Sequence, residues 1–131
     1  MDLTEVLAET YNLFLVSDII ENGSEIDREL ENLLANKDYN NMAKTLIYTL
    51  MHTLNNDPAY KNIRQIYINE AIDLLYIIDR MGFDDERIMR KFVNLLYQFY
   101  SYSLQYKINF IADKDIREWV KAELNELIHI V

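Results

Sequence analysis

The stretch FVNLLYQFYSYSLQY, from Phe92 to Tyr106, is fifteen residues long and contains no charged side chain. A helix that spans a bilayer needs roughly 20 predominantly apolar residues. This run is shorter and includes polar side chains such as Asn94 and Gln98, so a transmembrane segment is not expected. On a helical wheel its apolar side chains cover roughly two-thirds of the circumference. Because a helix that is apolar nearly all round is buried nearly all round, the stretch predicts a central helix over about residues 84–108.

The aromatic rings of this stretch allow a second interpretation, a platform on which nucleic-acid bases stack. Such platforms interleave aromatic side chains with Lys or Arg that follow the phosphate backbone. Here Lys91 and Lys107 only bracket the run. Direct nucleic-acid binding is therefore not expected. Since a buried tyrosine hydroxyl needs a polar partner, we expect some of the rings to reach a solvated rim or a subunit interface.

The composition predicts a single helical domain. The chain has 131 residues, of which half are apolar, and it contains no cysteine. Two glycines and one proline are too few for the turns of a sheet-rich fold. We therefore expect a compact all-α bundle of about six helices, one domain over residues 1–131, in which an acidic helical hairpin (1–37) packs on the helices of residues 39–131.

Helix boundaries are marked by a few capping residues. Gly23 ends one helix, and Ser24 followed by Asp27 resembles a capping box that opens the next. Asp57 and Pro58 are typical of an N-cap and a first helical position. The predicted helices are Leu3–Glu21, Glu25–Asn36, Tyr39–Asn55, Pro58–Met81, a helix that Asp84 caps and that reaches Ile108, and a helix that Asp113 caps and that continues to the last residue.

The net charge of −9 is concentrated in the first third of the chain. Residues 1–40 contain ten acidic and two basic residues, a charge of −8, which leaves −1 for residues 41–131. A nucleic-acid-binding domain needs a basic surface, so this asymmetry also disfavours one. The simplest interpretation is a solvated acidic surface, and the alternative is a docking surface for a basic partner.

Two groups of charged residues and one tryptophan are the candidate interaction residues. The outward face of the acidic hairpin is predicted to carry Glu5, Glu9, Glu25 and Glu29. A basic group at the start of the fifth helix consists of Arg87, Arg90 and Lys91. The fourth helix is predicted to add Lys61 and Arg64 to it. Trp119 is expected at the rim of the last helix, where it serves either as an interface anchor or as a lid on the core.

No catalytic, cofactor or metal site is predicted. Glu126 and His129 match the Glu-x-x-His spacing of di-iron bundles, but those proteins use two such pairs, and His129 is expected opposite the apolar face of its helix. His52 is likewise expected to be exposed. Glu70 is expected in the middle of the apolar face of the fourth helix, where a structural hydrogen bond is favoured over an active-site role.

Two segments, NLLYQFYSYSLQY (94–106) and AYKNIRQIYINEAIDLLYIID (59–79), are rich in Tyr, Ile and Asn. In this composition the chain resembles small helical proteins of viruses that infect thermophilic archaea, several of which are virion structural proteins. The resemblance implies a helical structural protein. It extends over the whole chain without a motif, so it assigns no functional residue.

Together these patterns favour a non-enzymatic structural or assembly protein that contacts copies of itself or a protein partner. The first alternative is an acidic inhibitor or nucleic-acid mimic whose carboxylates occupy a basic groove on a target protein. The second is an enzyme whose site the sequence does not reveal. The N-terminal residues begin with acids and lack the basic and apolar regions of a secretory signal, so no such signal is expected. The sequence leaves the location open between the inside of a cell and a virion.

Overall fold

The computed structural model describes residues 2–106, 108 and 113–130. This part of the chain forms six α-helices and one turn of 3₁₀ helix, Pro58–Tyr60. The α-helices are α1 (Leu3–Val16), α2 (Glu25–Ala35), α3 (Tyr39–Asn56), α4 (Arg64–Met81), α5 (Glu86–Gln105) and α6 (Lys114–Ile130). The prediction of an all-α bundle of about six helices is therefore confirmed.

The helices pack around one apolar core. The first helix, α1, contacts α2, α3 and α6, while α3 also contacts α4, and α5 lies between α4 and α6. Three of the six largest fully buried rings belong to α5; the six are Phe14, Tyr60, Phe83, Phe92, Phe99 and Tyr100. This arrangement brings the first and last helices of the chain together.

Helix α5 is buried on most sides but not all. Its N-cap is Asp85, one residue after the predicted Asp84. The Asp85 side chain accepts a hydrogen bond from the Arg87 amide. Helix α5 ends at Gln105, three residues before the predicted end at Ile108. Lys107, between these two positions, lies outside the described residues. Along one side Asn94 and Tyr97 are exposed, so a solvent-facing stripe interrupts the apolar surface that was expected nearly all round.

Helix α1 ends at Val16, five residues before the predicted end at Glu21. The Ser17 hydroxyl donates to the Leu13 carbonyl and bonds the buried Tyr100 hydroxyl (2.7 Å), which fixes the end of the helix against α5. Asp18 then adopts a φ of +58°, a left-handed conformation that Asp tolerates better than most residues.

The predicted fourth helix, Pro58–Met81, is two separate elements in the structure. Asp57 caps the 3₁₀ turn by accepting from the Ala59 amide (3.0 Å), and α4 begins only at Arg64. Between them Tyr60 turns inward, stacks on Phe99 with ring centroids 4.9 Å apart and bonds the Ser103 hydroxyl (2.6 Å). The 3₁₀ turn and the break before α4 thus accompany the burial of a large aromatic side chain in the core.

The buried face of α4 also differs from the prediction. The helix buries Ala71, Leu74, Leu75 and Ile78. This face leaves Glu70 exposed on the side of the helix, although it was predicted to be a buried carboxylate. Solvent reaches its carboxylate, so the prediction that Glu70 is buried is wrong.

Helix α6 begins where it was predicted to begin. The Asp113 carboxylate accepts from the amides of Asp115 (2.8 Å) and Ile116 (3.2 Å). The helix buries Val120, Leu124 and Leu127 and is described as far as Ile130; Val131, to which the helix was predicted to continue, lies outside the described residues.

Candidate interaction surfaces

The acidic residues of the N-terminal hairpin do not share one outward face. Glu5, Glu25 and Glu29 are exposed, as predicted. Glu9 is half-buried and turns towards α6, where it meets Glu123. The predicted outward orientation of Glu9 is therefore wrong, because a helix that packs on both α3 and α6 has too little free surface to leave all its acids in solvent.

Asp27 on α2 is buried and fastens α2 to α1. Its carboxylate accepts from the Tyr11 hydroxyl and from the Gly23 amide (2.8 Å). These two hydrogen bonds lower the pKa of Asp27. The Ser24 side chain accepts from the Asp27 amide (3.2 Å), so the predicted cap is present. The Asp27 carboxylate accepts a hydrogen bond from the Gly23 amide, whereas in a capping box it would accept from the amide of Ser24.

A groove between α2, α3 and the α1–α2 loop is bordered by acids. Its volume is about 480 Å³, and its lining residues include Ile19, Glu21, Ile26, Glu29, Tyr48 and His52. Tyr48 is 58% exposed and Ile26 40% exposed. Neither Glu21 nor Glu29 forms an ion pair with any residue that the structure describes. We call this feature the acidic groove.

The solvent-facing side of α5 carries the predicted basic group. Its exposed residues, here named the α5 stripe, are Arg87, Arg90, Lys91, Asn94 and Tyr97. Arg87 pairs with Asp85 (2.9 Å) and Arg90 with Glu86 (2.7 Å), so part of the positive charge is neutralised within the helix. Lys91 forms no ion pair with a described residue.

Apolar surface accompanies the α5 stripe on the side of α6. A groove of about 310 Å³ lies there, lined by Arg90, Val93, Asn94, Tyr97 and Ile128. Tyr97 is 44% exposed and Ile128 is 42% exposed. Large apolar side chains that remain in solvent next to cations are typical of protein contact surfaces, where aromatic residues and Arg are enriched.

The two basic residues predicted to join this group from the fourth helix lie differently. Lys61 is exposed after the 3₁₀ turn. Arg64 donates from Nε to the Leu54 carbonyl (2.6 Å) and from Nη2 to the Asp57 carbonyl (3.3 Å). Its guanidinium therefore binds two carbonyls at the end of α3 instead of joining the basic group of α5.

Trp119 is half-buried on α6 and packs against the core, at the rim where it was predicted. His52 and His129 are both exposed, as predicted. The ring Nδ1 of His129 lies 2.6 Å from the Asn125 carbonyl of its own helix. The Glu126 carboxylate lies close to two other carboxylates.

Glu9 on α1 and Glu123 and Glu126 on α6 form a carboxylate cluster, with one oxygen of each within 4.8 Å of the others. Carboxylate oxygens are the ligands that hard divalent cations take, but Ca²⁺ takes six to eight oxygens, so the cluster would supply only part of a coordination shell. Sequence reasoning missed the cluster because no local spacing links residues of the first and last helices.

Glu123 has the most perturbed environment of the three. Its Oε2 atom is buried and accepts no hydrogen bond from any described group. The contact with the Glu9 carboxylate, then burial, and then the negative charges of Glu9 and Glu126 raise the pKa of Glu123 to about 7. A raised pKa means that Glu123 keeps its proton to a higher pH than an ordinary Glu does.

No family model, no curated protein and no solved structure matches this chain. Among the helices in the described part of the chain, none is both long and apolar enough to cross a bilayer.

Proposed function

We propose that this chain is a non-enzymatic assembly protein that acts through protein contacts, foremost with other copies of itself. The observation that carries the proposal is a pair of exposed surfaces of opposite charge, the acidic groove and the α5 stripe, each of which includes large apolar side chains. They lie on different helices, since α2 packs on α1 and α3 while α5 packs on α4 and α6. One copy can therefore use both surfaces at once.

In this assembly the α5 stripe of one copy docks in the acidic groove of the next. Lys91 and the two arginines meet Glu21 and Glu29, while Tyr97 covers the exposed ring of Tyr48. A contact between two different surfaces is heterologous, so it produces rings or open filaments rather than closed two-fold dimers. The resemblance in composition to virion structural proteins is compatible with such repetitive assembly.

Both forces in this contact have expected signatures. Surface ion pairs contribute about 0–1 kcal/mol each and are screened beyond about 8 Å at physiological ionic strength. Burial of apolar surface contributes about 25 cal/mol per Å² and does not weaken with salt. Self-association should therefore weaken, but not vanish, as salt rises.

Size-exclusion chromatography with light scattering over a range of protein concentrations tests the proposal. We expect the molar mass to rise with concentration. Glu29→Lys in the groove and Lys91→Glu in the stripe should each abolish the rise, because each places like charges across the contact. An equal mixture of these two variants should assemble again, because each mutated surface then meets an opposite charge on the other variant.

Glu118→Lys and Lys114→Glu on α6 are the matched controls, because they change the charge equally at exposed positions outside both surfaces. Both should assemble like the unmodified chain. A molar mass that stays monomeric at every concentration would overturn the assembly function. Assembly that survives both reversals would overturn this docking and would assign the contact to an apolar surface that includes Trp119 or the tyrosines.

The acidic groove also favours a second function, that of an acidic inhibitor or nucleic-acid mimic. Exposed Glu21 and Glu29 line the groove beside apolar side chains and form no ion pair with described residues. A chain that remains monomeric, binds an arginine-rich helical peptide and loses that binding in Glu29→Lys would support this function instead.

A further inference from the structure

The contact between α1 and α6 contains a feature that packing alone does not explain. Helix α6 buries Val120, Leu124 and Leu127, an ordinary apolar face. Beside this face Glu9 and Glu123 bring two carboxylates together across the helix contact, with Glu126 as a third. Apolar or oppositely charged side chains would hold the helices together more firmly at every pH.

The charges around Glu123 are all of one sign. From α1 it faces Glu9, and from its own helix it faces Glu126. No charged group of α5, the other helix that packs on α6, contributes to its titration, and no cation of the described chain does so. His129 lies further along α6, is exposed, and contacts the Asn125 carbonyl instead.

Binding of a single proton removes the repulsion between the Glu9 and Glu123 carboxylates. An ionised carboxylate is only an acceptor, so two of them in contact repel and leave the buried Oε2 of Glu123 without a donor. A protonated carboxyl has an O–H that donates to its neighbour, which replaces the repulsion with a hydrogen bond to a charged group, among the stronger kinds.

We propose that Glu9 and Glu123 form a proton-dependent latch that holds α6 against α1 in acid and loosens it in base. The device is independent of the self-association proposed above. When the shared proton leaves, α6 opens more often as a unit, while the rest of the bundle keeps its own contacts.

The direction of the effect follows from linkage. The folded pKa of Glu123, about 7, lies above the ordinary value of 4.5, so the closed state binds a proton that the open state releases. The stabilisation is complete below about pH 4.5, declines as the pH rises, and is gone above about pH 7. Over that interval the equilibrium constant for opening α6 should rise about tenfold per pH unit.

Amide hydrogen exchange, expressed as protection factors that correct for the intrinsic pH dependence of exchange, measures this opening. In the unmodified chain the protection factors of α6 should fall about tenfold per unit from about pH 5 to about pH 7 and then level off. They should remain below those of α3 throughout, which identifies opening of α6 rather than global unfolding. A pH-independent protection of α6 would overturn the proposal.

Glu123→Gln is the decisive variant, because the amide N–H₂ can donate to Glu9 at any pH and so imitates the protonated latch. Its α6 should stay protected to about pH 9. Glu9→Gln should behave in the same way. Glu5→Gln removes an equal charge one turn away at an exposed position and should keep the slope of the unmodified chain.

Two further measurements distinguish the latch from a pH dependence due to His129 and from a cation site. His129→Gln should leave the slope unchanged, because the latch does not use the imidazole; a lost slope would assign the pH dependence to His129 and overturn the proposal. Added Ca²⁺ should not raise the protection of α6 at high pH. Calcium-dependent protection that disappears in Glu123→Gln would show that the carboxylates serve a cation rather than a proton.

Discussion

Phe99→Ala is the substitution that tests the central role of α5 most directly. The Phe99 side chain is completely buried. Its ring stacks on Tyr60 at 4.9 Å and meets Tyr100 edge-on at 5.1 Å. The substitution removes the whole ring and leaves two aromatic side chains facing a cavity.

The expected loss can be estimated from these contacts. Truncation of a buried Phe to Ala costs about 3–5 kcal/mol through lost burial and the remaining cavity. Each aromatic pair adds about 0.5–1.5 kcal/mol beyond its buried area. Since Phe99 has two such pairs, we expect a loss in the upper part of the range, about 4–5 kcal/mol. A domain of this size is stable by about 5–15 kcal/mol, so this loss removes from about a third to nearly all of the free energy of unfolding.

Urea denaturation followed by circular dichroism measures the loss. The midpoint should move to lower urea with an unchanged slope, because the surface exposed on unfolding is the same. Tyr97→Ala on the same helix is the matched control, and because Tyr97 is 44% exposed it should cost less than about 1 kcal/mol. A loss below about 1 kcal/mol for Phe99→Ala would refute the assignment of α5 as the buried spine of the bundle.

Two other predictions concern titratable residues. Neither His52 nor His129 should bind metal, since both are exposed; stoichiometric zinc, iron or manganese in the purified protein that is lost in His129→Ala would contradict this. The hydrogen bonds from Tyr11 and Gly23 lower the pKa of Asp27 below its ordinary 3.8, so the stability that Asp27 contributes is present above that value and lost as the pH falls through the lower folded pKa. Asp27→Asn should therefore destabilise the protein at neutral pH more than in strong acid, and equal losses at both, measured by urea denaturation, would show that Asp27 does not act through its charge.

Signals that act within a few residues were predictable from the sequence. The Asp113 cap sets the start of α6, and Ser24 sets the start of α2. The apolar period of α3 identifies its buried face, including Leu46 and Leu50. Each of these depends on backbone geometry or on a spacing that one helix imposes by itself.

The errors arise where distant residues decide a local conformation. Where α1 stops early, Ser17 bonds Tyr100, and where the predicted fourth helix is broken, Tyr60 lies in the core beside Phe99. Local propensity contains no information on these partners. The burial of Glu9 has the same cause, since only the packing of α6 on α1 brings Glu123 to it.

Acids from the first third of the chain therefore serve different uses. Asp27 holds α1 to α2, and Glu9 meets Glu123 across the contact with α6. What remains at the acidic groove is chiefly Glu21 and Glu29. Charge reversal at Glu29 should thus affect association without affecting the opening of α6, and neutralisation at Glu9 should do the reverse. Because the two effects separate by residue, the surface role of the acidic hairpin and its internal role can be tested independently on the same chain.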